Sequence, residues 1–564
     1  MKTIKIINNQ LIIQIPYDIG LVNLIKTSFS PRFWDSNLKV WKAPVNEKNI
    51  LATYSLTTYH QFIVSPETIQ EIEKYKTIFD EQRKVADVKI AASKAIDANI
   101  EIPSSLKGEL FPFQKAGVQF IENTNGRTLI SDSMGLGKSV QSIAWTLLHP
   151  EKVPILVICP ATLKVNWQRE FEKWTSVKSY IINSKDTNLR CIKGIDAYII
   201  NYDIVEKMKD LLIKMNFQII IMDECSAIKN VKAKRTKAIN ELVKGVPHIL
   251  ALSGTPLLNR PIEMYTTLKL LSPLNFGNYF EYASRFCGMH RTRWGLDVSG
   301  ATNIQELSNK LRSTVMIRRE KKDVLTELPD KTRVIVPQIC DLKEYKKVEN
   351  DLVNYLIETK NKTRLSAEKI NQVEQLAKIE YLKQEAVKTK IPLFIEWCKD
   401  FMENDEKLVI FAHHRSFIEK LMLELKEYNP VKIMGGMSSE EKQKSIDSFQ
   451  NDKNCKMFIG SITSAGMGIT LTTASHLVFL ELMFVPALHD QAEDRILRIG
   501  QKNACTIYYF IAEDTIERDI YNLLQSKRKI FQELMQDKNN IIENTDNNIL
   551  NDLINKLENK NGIN

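Results

Sequence analysis

Residues 131 to 143 read SDSMGLGKSVQSI, and their Asp-x-x-x-x-Gly-Lys-Ser spacing is that of a phosphate-binding loop, with Asp132 where such loops usually carry their first glycine. Gly135 and Gly137 let backbone N–H groups close around phosphate oxygens, and the apolar helix expected next offers its positive end. Lys138 has the reach and charge for the β and γ phosphates, and Ser139 supplies a hydroxyl to magnesium. The expected ATP-binding stretch is therefore Asp132, Ser133, Met134, Gly135, Leu136, Gly137, Lys138 and Ser139. A Gly-rich turn alone is a weak signal; strand, loop, Gly-Lys-Ser and helix together are a strong one.

Further along, IIIMDEC carries Asp223 and Glu224 out of a continuous apolar run. Open parallel sheets place their chemistry at such carboxyl ends of strands. Asp223 suits a magnesium shell, and Glu224 suits the orientation and deprotonation of an attacking water. Taken alone an acidic pair at a strand end is more often a solvated turn or cap; a phosphate loop upstream in the same sheet reverses that.

Late in the chain, QAEDRILRIGQ (491 to 501) contains Arg495 and Arg498. On a helix Gln491, Arg495 and Arg498 fall at i, i+4 and i+7 beside an apolar stripe of Ala492, Ile496 and Ile499, so the arginines are expected to line a cleft. A surface pair between Asp494 and Arg498 would be worth only ~0.3 to 0.5 kcal/mol and leaves Arg495 unexplained. An arginine on a transferring phosphoryl group is worth roughly 10³ to 10⁵ in rate. Lys138, Glu224, Arg495 and Arg498 are the expected catalytic groups.

These residues need sheets to hold them. From about residue 127, RTLIS, PILVICP, AYIINY, QIIIMDE and HILALSGT alternate with longer amphipathic stretches. Unbroken Val/Ile/Leu runs of this kind are strands buried on both faces of a parallel sheet. The pattern restarts with KLVIFA and continues through KMFIGSI, HLVFLEL and TIYYFIA, which predicts two α/β domains in tandem. Lys- and Glu-rich helical periodicity over 341 to 405 predicts a helical insertion or brace. In front, KIINNQLIIQI reads as a hairpin, YDIGLVNLIKTSF as a helix and LKVWKAP as a strand. The Asn-rich tail after about residue 537 is expected to be poorly ordered apart from ILNDLINKLEN, and no solenoid-length repeat is present.

Composition narrows the classes. The 564 residues are 43% hydrophobic and 26% charged, which suits a globular multidomain protein, and no apolar run reaches the ~18 residues of a membrane span. MKTIKIINNQ lacks the apolar core of a signal peptide, so an intracellular place is expected: cytoplasmic in a bacterium or phage, nuclear in a eukaryote. Eight scattered cysteines without a CxxC pair argue against a zinc ribbon and a secreted disulfide framework. The adjacent His413 and His414 are expected to pack rather than bind metal. A net charge of +10 suits a polyanionic partner.

FPFQKAG, SDSMGLGKS, PATLKVNWQREFEKW, IMDECSAIKN, ALSGTPLLNRP, SRFCG, MIRREKKDVLTELPDK, SITSAGMGITL and QAEDRILRIGQ follow one another in the order of the Swi/Snf-type ATPases of helicase superfamily two, which the chain resembles over roughly residues 106 to 525. The resemblance implies that Gln114 reads the adenine edge, that Asp223 and Glu224 form the metal and water site, and that Ser253, Thr255 and Gln491 couple nucleotide state to DNA. It also implies strand-backbone contacts at Thr162 and Lys164 and at Ser464 and Gly466. Cys225 and Ser226 replace the usual small residue and histidine after the acidic pair, and Leu497 replaces a histidine, so those side chains lack the family's coupling groups. LFPFQKAGVQF, KLVIFAHHR and neighbouring segments are similar to the annealing-helicase branch. The first sixty residues resemble the HARP module of that branch, where Arg32, Trp34 and Trp41, with Lys39 and Lys42, interleave basic and aromatic groups as single-strand or junction binders do; the two tryptophans equally suit the core of so small a domain. Lys229, Lys232, Lys234, Arg235 and Lys237, and Arg318, Arg319, Lys321 and Lys322, form basic clusters expected to meet polynucleotide.

The expected architecture is α/β: a HARP-like α+β module (1–65), a linker helix (66–105), a RecA-like ATP-binding lobe (106–335), a helical brace (336–405), a RecA-like helicase C-terminal lobe (406–530) and a polar tail (531–564). The expected function is an ATP- and magnesium-dependent DNA translocase acting as a monomer on duplex, forked or branched DNA, an annealing or fork-remodelling helicase in repair or replication, with no membrane partner. Two other readings are a strand-separating helicase or RNA-dependent ATPase, and a nucleotide-gated DNA-binding scaffold without turnover.

Overall fold

The computed structural model describes residues 2–29, 31–59, 62–186, 190–254, 260–292, 295–325, 329–361, 368–465 and 469–535. The chain divides into two compact units, Met1–Ala91 and Ala92–Asn564.

The first unit is a five-stranded sheet in the order β3-β4-β2-β1-β5 with helices. β1 (Thr3–Ile7) and β2 (Gln10–Gln14) form the expected hairpin. Its two loop residues, Asn8 and Asn9, take φ of 49° and 60°, the sense of twist that two-residue hairpin loops need and that asparagine tolerates. Ile4, Leu11 and Ile13 are fully buried and pack with Ile25 and Phe29. Ile25 comes from the helix Ile19–Ser28, whose first turn is capped by Asp18 accepting from the Leu21 N–H at 2.8 Å. β3 (Phe33–Asp35) and β4 (Val40–Pro44) follow, then the helix Glu47–Tyr59 and β5 (Ile63–Val64). The helix Pro66–Ala92 lies within this unit up to Ala91, although a linker was expected from residue 66.

In the second unit the first sheet holds β6 (Arg127–Ile130), β7 (Ile155–Cys159), β8 (Ser179–Ile181), β9 (Ala197–Asn201), β10 (Ile219–Asp223) and β11 (His248–Leu252). After a small hairpin of β12 (His290–Thr292) and β13 (Gly295–Asp297) comes β14 (Met316–Ile317), which closes the order β14-β6-β11-β10-β7-β9-β8. Every strand pairing in this sheet is parallel among the described residues. β7, β9 and β11 are buried at every residue, as helix cover on both faces requires.

The second sheet runs β15-β20-β19-β16-β18-β17, again parallel: β15 (Lys331–Gln338), β16 (Leu408–Ala412), β17 (Val431–Ile433), β18 (Met457–Ser461), β19 (His476–Phe479) and β20 (Cys505–Ala512). β15 crosses the expected boundary at residue 335, since all eight of its residues pair with β20. Its residues are all exposed or half-buried, as on a sheet edge, and this hid it among the neighbouring charges.

The helices Lys343–Asn361 and Glu368–Met402 occupy the expected brace. They are part of the second lobe's core: Ile379, Leu382 and Ala386 pack with β16 and β20 residues, and Phe394 meets Phe510. Lys390, 0% exposed, donates to both Glu517 oxygens at 2.8 and 2.7 Å and to the Phe510 carbonyl. Removing one partner of such a pair strands the other charge. Lys390→Met is expected to lower the second lobe's stability by about 3 kcal/mol or more, read as a lower urea midpoint, with the double variant Lys390→Met/Glu517→Leu recovering most of it.

Candidate active site between the two lobes

β6 ends at Ile130 and the chain turns through residues 131 to 137 into the helix Lys138–Leu148. Gly135 and Gly137 sit at φ of 83° and 74°, where a side chain is strained. Space is short as well: a Cβ on Gly137 would come 2.4 Å from Gln114 Nε2, and one on Gly135 would come 3.2 Å from Arg498 Cγ. Lys138 Nζ donates to the Asp132 and Ser133 carbonyls at 2.9 and 3.4 Å. Burial lowers its pKa, while Glu224, Asp132 and Asp223 favour the charge. Gln114 lies behind the loop, 3% exposed, accepting from the Phe111 N–H and donating to the Leu136 carbonyl.

Asp132 differs from a phosphate contact. Its carboxylate is fully buried and accepts from the Arg319 N–H and Nε at 3.0 and 2.9 Å, from a terminal Arg319 nitrogen, and from Gln141 Nε2 at 3.0 Å. Arg319 also donates to the Phe113 carbonyl, and its own carbonyl accepts from the Ser133 N–H at 3.0 Å. Arg318 donates to the Ser131 carbonyl at 3.0 Å. The expectation that Arg318 and Arg319 meet polynucleotide is therefore corrected: they are 8% and 3% exposed and hold the loop to β14. Of that cluster Lys322 is exposed, and it pairs with Glu320.

The acidic pair stands at the end of β10, as its apolar run requires. Asp223 accepts from Trp167 Nε1 at 2.8 Å and from the Glu224 N–H at 3.0 Å. Burial raises the Asp223 pKa, against the Trp167 bond and the Lys138 charge. Glu224 sits at φ 50°, and its Oε2 is buried with no hydrogen-bond partner among the described residues. Burial first, then the neighbouring Asp223, pushes its carboxyl up to about 7. Trp167 was missed in the sequence, where an amphipathic helix makes a tryptophan read as core. At the next strand end, buried Ser253 donates its N–H to the Ile130 carbonyl at 3.1 Å, and a Cβ on Gly254 would come 2.5 Å from Met134 Cγ. Thr255 and Gly466 lie outside the described residues.

The arginines reach this site from the second lobe. The expected helical stripe is absent: the helix Pro486–Glu493 ends before Arg495. The chain leaves it because backbone and side-chain groups bond to residues 469 to 474 instead. The Arg495 carbonyl accepts from the Leu471 N–H at 2.9 Å, and Gln501 Nε2 donates to the Thr472, Ala474 and Ile496 carbonyls. Arg495 donates Nε to the Gln491 carbonyl at 2.8 Å, one terminal nitrogen to the Ile469 carbonyl and the other to Met134 Sδ at 3.3 Å. Arg498 donates to the Asp494 carbonyl at 3.1 Å and to Thr470 Oγ1 at 2.8 Å. Burial disfavours the charge of both arginines; Arg498 adds to this for Arg495, whereas Glu224 and Asp223 favour the charge of each. Asp494 pairs with Lys321 at 2.9 Å, so no surface pair with Arg498 forms. Gln491 is 3% exposed at the helix end.

The candidate DNA contacts are dispersed. Thr162 and Lys164 follow β7 and are half-buried, Lys164 Nζ lying 3.4 Å from Asn183 Oδ1; Ser464 is half-buried after β18. Lys229 pairs with Glu263 at 3.4 Å and Arg235 with Asp203 at 3.6 Å. In the first unit Trp34 is 50% and Phe33 63% exposed, Arg32 is exposed, and Trp34 meets the half-buried Trp41 at 5.2 Å between ring centroids. Phe33 was missed because alternation does not say which face of an edge strand is covered. Glu380, His413 and His414 come within metal-ligand reach of one another. The Lys383 ammonium already stands 2.7 Å from Glu380 Oε1, and Glu481 accepts from His414 Nδ1.

Two family models match the chain: SNF2-related domain over residues 113–390 and helicase conserved C-terminal domain over residues 389–500. The Xenopus laevis SWI/SNF-related matrix-associated actin-dependent regulator of chromatin subfamily A-like protein 1 is 31% identical over 97% of this chain and 56% of that protein. The human DNA annealing helicase and endonuclease ZRANB3 is 32% identical over 76% of this chain and 40% of that protein. A Sulfolobus solfataricus SWI2/SNF2 ATPase core in complex with dsDNA aligns with 25% identity and a TM-score of 0.39 over 78% of this chain and 95% of that one. The chain spans about half the length of the curated relatives it matches. Among the described residues, no helix is long and apolar enough to cross a membrane.

The elevated Glu224 carboxyl has a measurable consequence. The folded protein holds this proton to about pH 7 and the unfolded chain only to about 4.5, so this group's contribution to stability falls as pH rises across that window and is constant below it. Glu224→Gln is expected to raise the melting temperature of the nucleotide-free protein at pH 8, with the gain vanishing towards pH 4.5, in differential scanning fluorimetry.

Proposed function

Because the chain belongs to the Swi/Snf-type ATPases of helicase superfamily two, an SNF2-related domain followed by a helicase conserved C-terminal domain, we propose that it is a DNA-dependent ATPase that moves on duplex or branched DNA and remodels or anneals forks. The observation that carries this reading is the approach of Arg495 and Arg498, on one lobe, to Met134 and Gly135 in the phosphate loop of the other. A site divided in this way turns hydrolysis on and off with lobe closure, which is what a stepping motor requires.

ATP enters against the loop N–H groups, and Lys138 leaves the Asp132 and Ser133 carbonyls for the β and γ phosphates. Ser139 and Asp223 are hard oxygen donors that fit magnesium, which when bound offsets phosphate charge. Glu224, whose buried Oε2 has no partner among the described residues and whose carboxyl titrates near neutrality, orients the attacking water and takes its proton. Arg495 and Arg498 neutralise charge on the transferring phosphoryl oxygens. Ser253, Thr255 and Gln491 relay the nucleotide state, and Thr162, Lys164, Lys229, Arg235, Ser464 and Gly466 contact DNA phosphates. Arg32, Trp34 and Trp41, joined by Phe33, give the first unit, residues 1–91, a basic-aromatic face for single strands at a fork.

The test is phosphate release on duplex, forked and single-stranded DNA and on RNA. Duplex or forked DNA is expected to stimulate the wild type and not Lys138→Ala; stimulation by RNA alone overturns the proposal. Arg498→Ala is expected to lose roughly 10³-fold or more of the DNA-stimulated rate while ATP and DNA binding persist. Removing residues 1–91 is expected to abolish preference for forks over plain duplex; an unchanged preference removes the first unit from fork recognition.

A further inference from the structure

Lys321, in the MIRREKKD segment, reaches the arginine turn. Its Nζ donates to the Leu497 carbonyl at 2.8 Å and lies 2.9 Å from Asp494 Oδ1. Its Cε would be 3.6 Å from a Cβ placed on Gly135, so its stem runs along the phosphate loop beside Arg498. The side chain is 14% exposed. Burial pulls its ammonium down to about 8 against the attraction of Asp494. An ammonium in this place is costly to the fold, and a hydrophobic side chain of the same length would avoid that cost.

The residues on either side explain how Lys321 is aimed. β14 pairs with β6, the strand that enters the loop, and Arg319 locks the next turn to Asp132 and Ser133. Lys321 thus moves with the loop. Asp494 immediately precedes Arg495 and Leu497 immediately precedes Arg498, and Asp494 also accepts from Arg498 Nε through its carbonyl. On the other side of the turn, Glu493 is held by Lys331 and Arg333 at 2.9 and 2.7 Å, both from β15. The turn is therefore anchored within its own lobe at Glu493, with Lys331 also 3.7 Å from Asp494, and across the cleft by the shorter Lys321 contacts to Asp494 and Leu497.

We propose that Lys321 is a positioning residue, resting on the ATPase reading above: it bridges the phosphate loop to the arginine turn in the closed lobes and so sets Arg498 over Gly135. It does not touch the reacting atoms. Breaking the bridge should misplace Arg498 rather than weaken nucleotide binding, and a misplacement of about 1 Å can cost on the order of 10²-fold in rate.

The test uses the full chain with duplex DNA and two readouts. In steady-state ATP hydrolysis, Lys321→Ala is expected to lower kcat about 10- to 100-fold with KM for ATP nearly unchanged. Lys321→Arg should recover part of kcat, Asp494→Asn should resemble Lys321→Ala, and the double variant should be no worse than either single one. In small-angle scattering with a non-hydrolysable ATP analogue, Lys321→Ala should give a larger radius of gyration than the wild type, and Lys321→Arg should restore it. Wild-type kcat in Lys321→Ala, a parallel change of kcat and KM without rescue by arginine, or multiplicative loss in the double variant overturns the inference. A wild type without DNA-stimulated hydrolysis but with Lys321-dependent closure instead overturns the ATPase reading and leaves the bridge standing.

Discussion

The pairing of Asp132 with Arg319 is the contact on which the site's geometry depends. A carboxylate buried to 0% exposure would be prohibitive alone, and here both of its oxygens accept from Arg319, with Gln141 completing the shell. The consequence is mechanical. A loop rich in glycine would otherwise sample many conformations, and the pair ties its first residue to β14 while the Ser133 N–H is taken by the Arg319 carbonyl. An aspartate where phosphate loops commonly have glycine is in this chain an anchor point.

That anchor lets the rest of the cleft carry unbalanced charge. Lys138, Lys321, Arg495 and Arg498 converge near the loop, against the carboxylates of Asp223, Glu224 and Asp494. Burial opposes every one of these charges, and Glu224 responds by holding its proton to about pH 7. The second lobe answers with its own buried knot: Glu493, 0% exposed, accepts from Lys331, Arg333, Tyr509 and Arg528, which fixes the end of the helix from which the arginine turn departs.

Much of this was legible in the residues. Runs such as ILVIC and HILAL read as strands because they are short, apolar and set between longer amphipathic stretches, which suits a sheet covered on both sides, and they occur where expected. The Asn8–Asn9 hairpin was equally plain, since its loop needs residues tolerant of positive φ. Periodicity failed where long-range bonds compete with local ones. Gln491, Arg495 and Arg498 have perfect helical spacing, yet the helix stops at Glu493 because carbonyls and amides of residues 469 to 474 offer the turn better partners. Charge failed similarly: Arg318 and Arg319 look like a basic surface beside Lys321 and Lys322, and their burial follows from Ser131, Asp132 and Phe113 carbonyls and carboxylate lying far away in sequence.

By itself the sequence determined the two parallel sheets, the glycine turn before the helix Lys138–Leu148 and the acidic pair at a strand end, because each rests on a local pattern: side-chain period, glycine at positive φ, and polar residues at the carboxyl end of an apolar run. Only the tertiary structure decided which charges are buried partners and which are free, and that the arginines meet Met134 and Gly135 across the cleft. Those outcomes depend on contacts between residues hundreds of positions apart, and the energy of a charge is set by what surrounds it in space rather than by what adjoins it along the chain.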